Sequence, residues 1–188
     1  MTKPTLRLLD LMRQTEDPAV INLAAGIPSP DFLPLDALKS SLEGAILSKA
    51  REMFSYHRPE GAATLREAIR DYLAVRGVRI EAGDVLVTTG CSGALASIIG
   101  VVLKKGDTVL VEAPAYYGQL ELLRAAGVKF RALPTGVGNE PDPGRWEKAL
   151  KSNPKPKLVV VTSSLSNPSG ATLPEEWRPK LVEICRKA

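Results

Sequence analysis

Residues 85–118 read VLVTTGCSGALASIIGVVLKKGDTVLVEAPAYYG, and this stretch decides the fold. A short Val/Leu-rich run at residues 85–89 ends at Gly90, an apolar helical stretch covers residues 92–103, and a second short run follows at 108–112. Brief runs of Val and Leu bounded by turn residues predict buried strands. Further along, residues 129–133 and 158–162 have the same character. Helical segments at residues 117–126, 143–151 and 174–187 stand between and after them. The order β-α-β-α-β-α-β-α predicts an α/β fold, three layers deep, around a mainly parallel sheet with right-handed crossovers. The last helix has no following strand, so the sheet reads as incomplete.

Upstream, Leu35, Leu38, Leu42, Ala45 and Ile46 recur at helical spacing and predict an amphipathic helix over residues 35–47. A clearer one spans residues 61–76, with a stripe of Leu65, Ala68, Ile69, Tyr72 and Leu73, and Gly77 as its stop. Residues 6–13 suit a short helix. Residues 21–34, INLAAGIPSPDFLP, hold three prolines and a glycine and predict an irregular arm. Ile21, Leu23, Ile27, Phe32 and Leu33 are too apolar for a solvated tail. Such an arm packs on its own body or on a partner chain.

The composition narrows the function. With 188 residues, 44% hydrophobic and 24% charged, the chain reads as a soluble globular protein of one domain or slightly more. No apolar run approaches the roughly 20 residues of a membrane helix. The N-terminus lacks a secretory pattern, which makes the cytoplasm the default. Two cysteines form no disulfide framework, and His57, the single histidine, excludes a typical catalytic zinc site. The 25 basic residues are nearly matched by 21 acidic ones and are spread along the chain. No nucleic-acid footprint follows from that.

Four segments could carry chemistry. In TTGCSGAL, residues 88–95, a strand turns at Gly90 into a helix near Ser92, and free N–H groups there suit an anion. It lacks the Lys-Ser/Thr pair of a P-loop and the glycine spacing of a dinucleotide fingerprint. A tight turn without a ligand reads equally well. EAPAYYG, residues 112–118, places two adjacent tyrosines after the second strand, where one ring could stack on a planar heterocycle or pack as core. SSLSNPSG, residues 163–170, follows the fourth strand, and Asn167 could bond a ligand oxygen or serve a plain turn. FSYHRPEG, residues 54–61, carries His57, read as a solvated loop histidine. The three loops that follow strands share one rim of one sheet and would face a single pocket.

In this order the segments resemble the large domain of fold-type I pyridoxal-phosphate enzymes, within the class I/II aminotransferases. AAGIPSPDFLP is similar to that family's N-terminal arm, and FSYHRPEGAATLREAI to its tyrosine, Pro-x-Gly and Leu-Arg-x-Ala-Ile series. TTGCSGAL resembles its phosphate turn, EAPAYYG its ring-stacking segment and SSLSNPSG its Asn-Pro-Thr-Gly loop. The group nearest in flavour contains 2-aminoadipate aminotransferases and the effector domains of MocR-type regulators. The resemblance implies pyridoxal 5'-phosphate, amino-acid and 2-oxo-acid substrates, and a homodimer with shared active sites. It also implies roles. Gly90, Cys91 and Ser92 would hold the cofactor phosphate, Tyr116 would stack on the pyridine ring, and Asn167 would bond its phenolic oxygen. Gly26 would lie near the substrate carboxylate. Tyr56 would reach the cofactor phosphate of a neighbouring subunit.

The sequence departs from the family's pattern at Cys91 and Gly93 in the phosphate turn and at Ser163, Leu165 and Ser166 in the last loop. A thiol is a weaker donor than a hydroxyl. The family's Schiff-base lysine, its pyridine-nitrogen aspartate, its carboxylate-clamping arginine and its small C-terminal domain find no match. The expectation is an arm over residues 1–34 and a partial cofactor-binding large domain over residues 35–188, inert alone and poorly soluble. The other readings are a regulator's effector domain, another pyridoxal-phosphate reaction such as β-elimination or decarboxylation, and a small phosphate-binding α/β protein.

Overall fold

The computed structural model describes residues 13, 19–21, 26, 29–134 and 142–188. The chain divides into two compact units, Met1–Val87 and Thr88–Ala188.

In the first unit a 3-10 turn at Pro30–Phe32, begun by the Ser29 side chain accepting from the Asp31 N–H, leads into helix α1, Leu35–Met53. This helix runs past its predicted end and kinks at Lys49. Its apolar stripe is exposed at Leu35, Leu38, Leu42 and Ile46. Helix α2, Ala63–Ala74, stops where Gly77 takes a φ of +79° and its N–H donates to the Ala74 carbonyl, as the glycine predicted. In the arm, Ile21, Phe32 and Leu33 are exposed. Leu23, Ile27 and, but for Arg13, the helix expected over residues 6–13 lie outside the described residues.

The strand expected at residues 85–89 does not form. Val85 has extended backbone, but no ladder partner exists for this segment among the described residues. Extended backbone becomes a strand only when a neighbour takes its N–H and C=O groups. Here the Val87 N–H goes to the Glu60 carbonyl, in the Pro-x-Gly turn, at 3.0 Å.

The second unit follows the predicted alternation. Helix α3, Gly90–Val102, precedes β1, Thr108–Ala113; α4, Tyr117–Ala125, leads to β2, Lys129–Pro134. Helix α5, Pro143–Leu150, leads to β3, Pro156–Val160, and α6, Trp177–Lys187, ends the series. The sheet is parallel with order β2-β1-β3.

Strand β1 is the centre of the core. Val109, Leu110 and Val111 are at most 2% exposed, as expected of a strand covered on both faces. Val109 and Val111 pack with Ile99 and Leu103 of the α3 end and Leu123 of α4. Leu110 packs with Trp146 and Leu150 of α5 and Leu181 and Ile184 of α6. Alternate residues of one strand therefore serve opposite layers, which makes the unit a three-layer α/β/α arrangement. The indoles of Trp146 and Trp177 meet edge-on at 6.0 Å within the α5–α6 layer.

Candidate functional site

After β1 the chain passes to α4 on one face of the sheet, and after β3 it passes to α6 on the other. Adjacent parallel strands whose connections leave to opposite faces open a crevice at their carboxyl ends, where ligands of such sheets bind. A pocket of about 320 Å³ lies there. Tyr116, Gln119 and Leu122 line it from the β1–α4 side, and Thr162, Leu165 and Asn167 from the chain after β3. Cys91, Ser92 and Leu95, from the first turns of α3, complete the lining.

The α3 end is the natural anion side. Gly90 has a φ of +74°, a turn that favours glycine, and its N–H donates to the Thr88 carbonyl at 2.8 Å. The Thr88 hydroxyl donates to the Gly90 carbonyl at 3.0 Å and tightens the turn. Cys91 and Ser92 follow in the first helical turn, where N–H groups have no intrahelical acceptor. No charged side chain lines the pocket among the described residues, so the helix terminus supplies the positive potential. A Cβ on Gly93 would collide with the Thr89 hydroxyl, so the departure at Gly93 makes room inside this turn.

Tyr116 is half-buried, with its ring 4.6 Å from that of Tyr117 and tilted by 48°. The Tyr117 phenol is held above its usual value, first by its hydrogen bond with Tyr116 and then by burial. Asn167 is exposed at the pocket rim, and its bond to Pro168 is cis. Its loop is closed on itself. The Leu173 N–H donates to the Ser163 carbonyl at 3.0 Å, Ser166 N–H to Ala171 at 2.8 Å, and Leu165 N–H to the Thr172 hydroxyl at 3.1 Å. Arg178 ties the loop from α6, reaching Ser164 Oγ at 3.1 Å and the Leu173 carbonyl at 3.3 Å.

The fold thus brings together Cys91, Ser92, Tyr116 and Asn167, with Gly90 making the turn beneath the first two. Tyr56 and Gly26 belong to the first unit and are exposed there, as is His57. Reading the sequence missed Gln119, Thr162 and two of the three pocket leucines, Leu95 and Leu122. For Gln119 a signal existed: it stands three residues after Tyr116, the spacing that puts side chains on one side of a helix. Arg178 left no signal, because its role depends on the loop folding back to α6. Among the described residues no cluster of His, Cys, Asp and Glu suits a metal, and no helix is long and apolar enough to cross a membrane.

The family described as aminotransferase class I and II matches residues 18–188. The chain belongs to that family. Among its relatives, the 2-aminoadipate transaminase of Thermus thermophilus is 31% identical over 93% of this chain and 42% of its own length. An uncharacterized HTH-type transcriptional regulator of Escherichia coli, YdcR, is 32% identical over 94% of this chain and 38% of its own length. The chain spans less than half the length of these relatives. Among solved structures, LysN, an α-aminoadipate aminotransferase of Thermus thermophilus crystallised with N-(5'-phosphopyridoxyl)-L-leucine, superposes with a TM-score of 0.79. It is 29% identical, with 94% of this chain and 43% of that one covered. The chain therefore has the α/β fold of that family over the part of LysN that it covers.

Proposed function

We propose that this chain forms the cofactor cradle of a pyridoxal-phosphate aminotransferase that moves an amino group between an amino acid and a 2-oxo acid. The observation that carries the reading is the convergence of α3, the β1–α4 turn and the post-β3 loop on one pocket at the sheet's crevice. The pocket fits such a group. It has helix-terminal donors at one end, a half-buried ring at Tyr116 that can cover a planar heterocycle, an exposed amide at Asn167 on the rim, and apolar walls from Leu95, Leu122 and Leu165. Pyridoxal phosphate, when bound, supplies an electron sink for the bonds around the substrate's α-carbon.

The residues of this chain do the holding. The N–H groups of Cys91 and Ser92 take the phosphate, with the Ser92 hydroxyl as a further donor and Gly90 shaping the turn. Tyr116 stacks on the ring and Asn167 bonds its phenolic oxygen. Gly26 lies by the substrate carboxylate, and Tyr56 serves the phosphate of a neighbouring subunit in a homodimer. The exposed stripe of Leu35, Leu38, Leu42 and Ile46 supports such a second copy. Residues 1–34 form the arm and residues 35–188 part of the cofactor-binding domain, acting in the cytoplasm. Among the described residues no lysine lines this pocket, and binding without turnover by the chain alone is part of the proposal.

A second reading, the effector-binding module of a transcription regulator, is favoured by the regulator relative that matches 94% of this chain. Both readings share the cradle. They part at turnover of a complete protein: amino transfer marks the enzyme, whereas binding that changes DNA affinity marks the regulator.

The test is a pyridoxal-phosphate titration of the purified chain, read by absorbance and then by borohydride reduction and mass spectrometry. Saturable binding without a covalent lysine link is the expected result. A link to one specific lysine would overturn the division of labour. A folded chain that binds nothing would overturn the cradle itself.

A further inference from the structure

Leu165 has a φ of +50°, and every other described residue at positive φ is a glycine. In this region the Cβ of an L-residue crowds its own backbone, so a leucine stays there only when its surroundings hold it. The loop after β3 does the holding. The Leu165 N–H donates to the Thr172 hydroxyl at 3.1 Å, and the Ser166 N–H donates to the Ala171 carbonyl at 2.8 Å. Both are backbone donors, so a glycine at position 165 could close the same loop without the strain.

The same turn inverts the usual burial of two neighbours. Leu165 is 77% exposed, whereas Ser166 is 5% exposed and its Oγ has no hydrogen-bond partner. A single exposed leucine is ordinary on a protein surface. A leucine turned outward while the next hydroxyl is buried unpaired is not, because both choices oppose folding. Backbone strain persists where the surrounding structure over-determines it, and such residues cluster at ligand sites. Here the strained turn sets an accessible apolar side chain in the lining of the crevice pocket, on the Asn167 side and on a different element from Tyr116.

We propose that Leu165 is a specificity-determining contact of this pocket, whose isobutyl group packs on the planar ring of the occupant and not on its phosphate. The assignment rests on the reading of the pocket as a pyridoxal-phosphate cradle, and it adds an apolar ring contact to those of Tyr116 and Asn167. A heterocycle seated in the pocket takes apolar surface of Leu165 out of water, which a bare phosphate at the α3 end does not.

The experiment compares the purified chain with Leu165→Ala, Leu165→Gly and Leu165→Met. Pyridoxal phosphate is titrated by absorbance, inorganic phosphate by calorimetry, and urea unfolding reports stability. Leu165→Ala and Leu165→Gly are expected to weaken pyridoxal-phosphate binding roughly three- to tenfold while leaving inorganic phosphate within about twofold of wild type. Leu165→Met keeps the apolar bulk and binds pyridoxal phosphate within about twofold of wild type. Leu165→Gly, which relieves the strain, unfolds at a higher urea midpoint than Leu165→Ala. A residue serving only the loop would move stability and not the difference between the two ligands. Should Leu165→Ala fail to fold, Leu165→Gly carries the same binding outcomes. Pyridoxal phosphate bound as tightly by the Ala variant as by wild type overturns the assignment and leaves the cradle standing. Equal losses for the two ligands, or a Met variant as weak as the Ala variant, also overturn it. A folded wild type that does not bind pyridoxal phosphate overturns the cradle reading, and this assignment with it.

Discussion

The ring of Tyr116 lies against the backbone of Gly118: a Cβ at Gly118 would stand 2.6 Å from Tyr116 Cε1 and 3.1 Å from its phenolic oxygen. The missing side chain therefore sets where the ring lies over the pocket. Gly118→Ala pushes the ring aside, while the gain in helix propensity, about 1 kcal/mol, offsets the crowding in stability. The expected outcome is a nearly unchanged unfolding midpoint in urea and a roughly tenfold weaker binding of pyridoxal phosphate. Unchanged affinity would show that Tyr116 does not touch the ligand.

Cys91 puts a thiol beside the α3 terminus, where a hydroxyl would be the stronger donor. Cys91→Ser should tighten inorganic phosphate by roughly two- to fivefold, measured by calorimetry. Weaker binding in the serine variant would place the anion elsewhere.

Gly61 has a φ of +104°, and a Cβ there would sit 2.6 Å from Val87 Cγ2. Gly61→Ala should cost the chain about 2–4 kcal/mol, from backbone strain and crowding together. Adding Val87→Ala removes the Cγ2 clash but leaves Val87 Cβ 2.9 Å away, so it should restore only part of the loss, and the double variant stays below Val87→Ala in urea midpoint. Full recovery would mean that the backbone there is unstrained.

Asp107 accepts the Lys104 N–H at 2.8 Å and pairs with Lys157 at 3.0 Å, and these contacts, in that order, hold its carboxyl below the usual value. The unfolded chain therefore binds a proton at Asp107 before the folded one does. The stabilisation is full above the ordinary carboxylate value, about 3.9, and is lost as pH falls through the lower folded value. Thermal midpoints of Asp107→Asn should show a shallower fall than wild type across that acid range. Parallel curves would mean that the pair contributes nothing.

The order and type of elements were legible in the sequence because strand and helix periodicities are local. Thr108–Ala113 reads as a buried strand from its valines alone, and Gly77 marks the end of α2 because only a positive φ closes that turn. The segments around Cys91, Tyr116 and Asn167 were legible for a related reason. Each is a short turn whose chemistry is written in its own residues, and shared strand polarity sends the two around Tyr116 and Asn167 to one rim.

The tertiary structure decided what depends on partners. Residues 85–89 have a strand's composition, yet pairing is a property of two segments, and here the Val87 N–H meets the Glu60 turn instead. Gly61 and Gly118 look like ordinary turn and helix glycines until Val87 and Tyr116 are brought against them. Gln119 stands three residues after Tyr116, but its burial comes only from the packing of α4 against the sheet. Periodicity assigns a side chain to a face of its own element. What that face meets, and whether a buried donor finds an acceptor there, is set by contacts between residues distant in the chain.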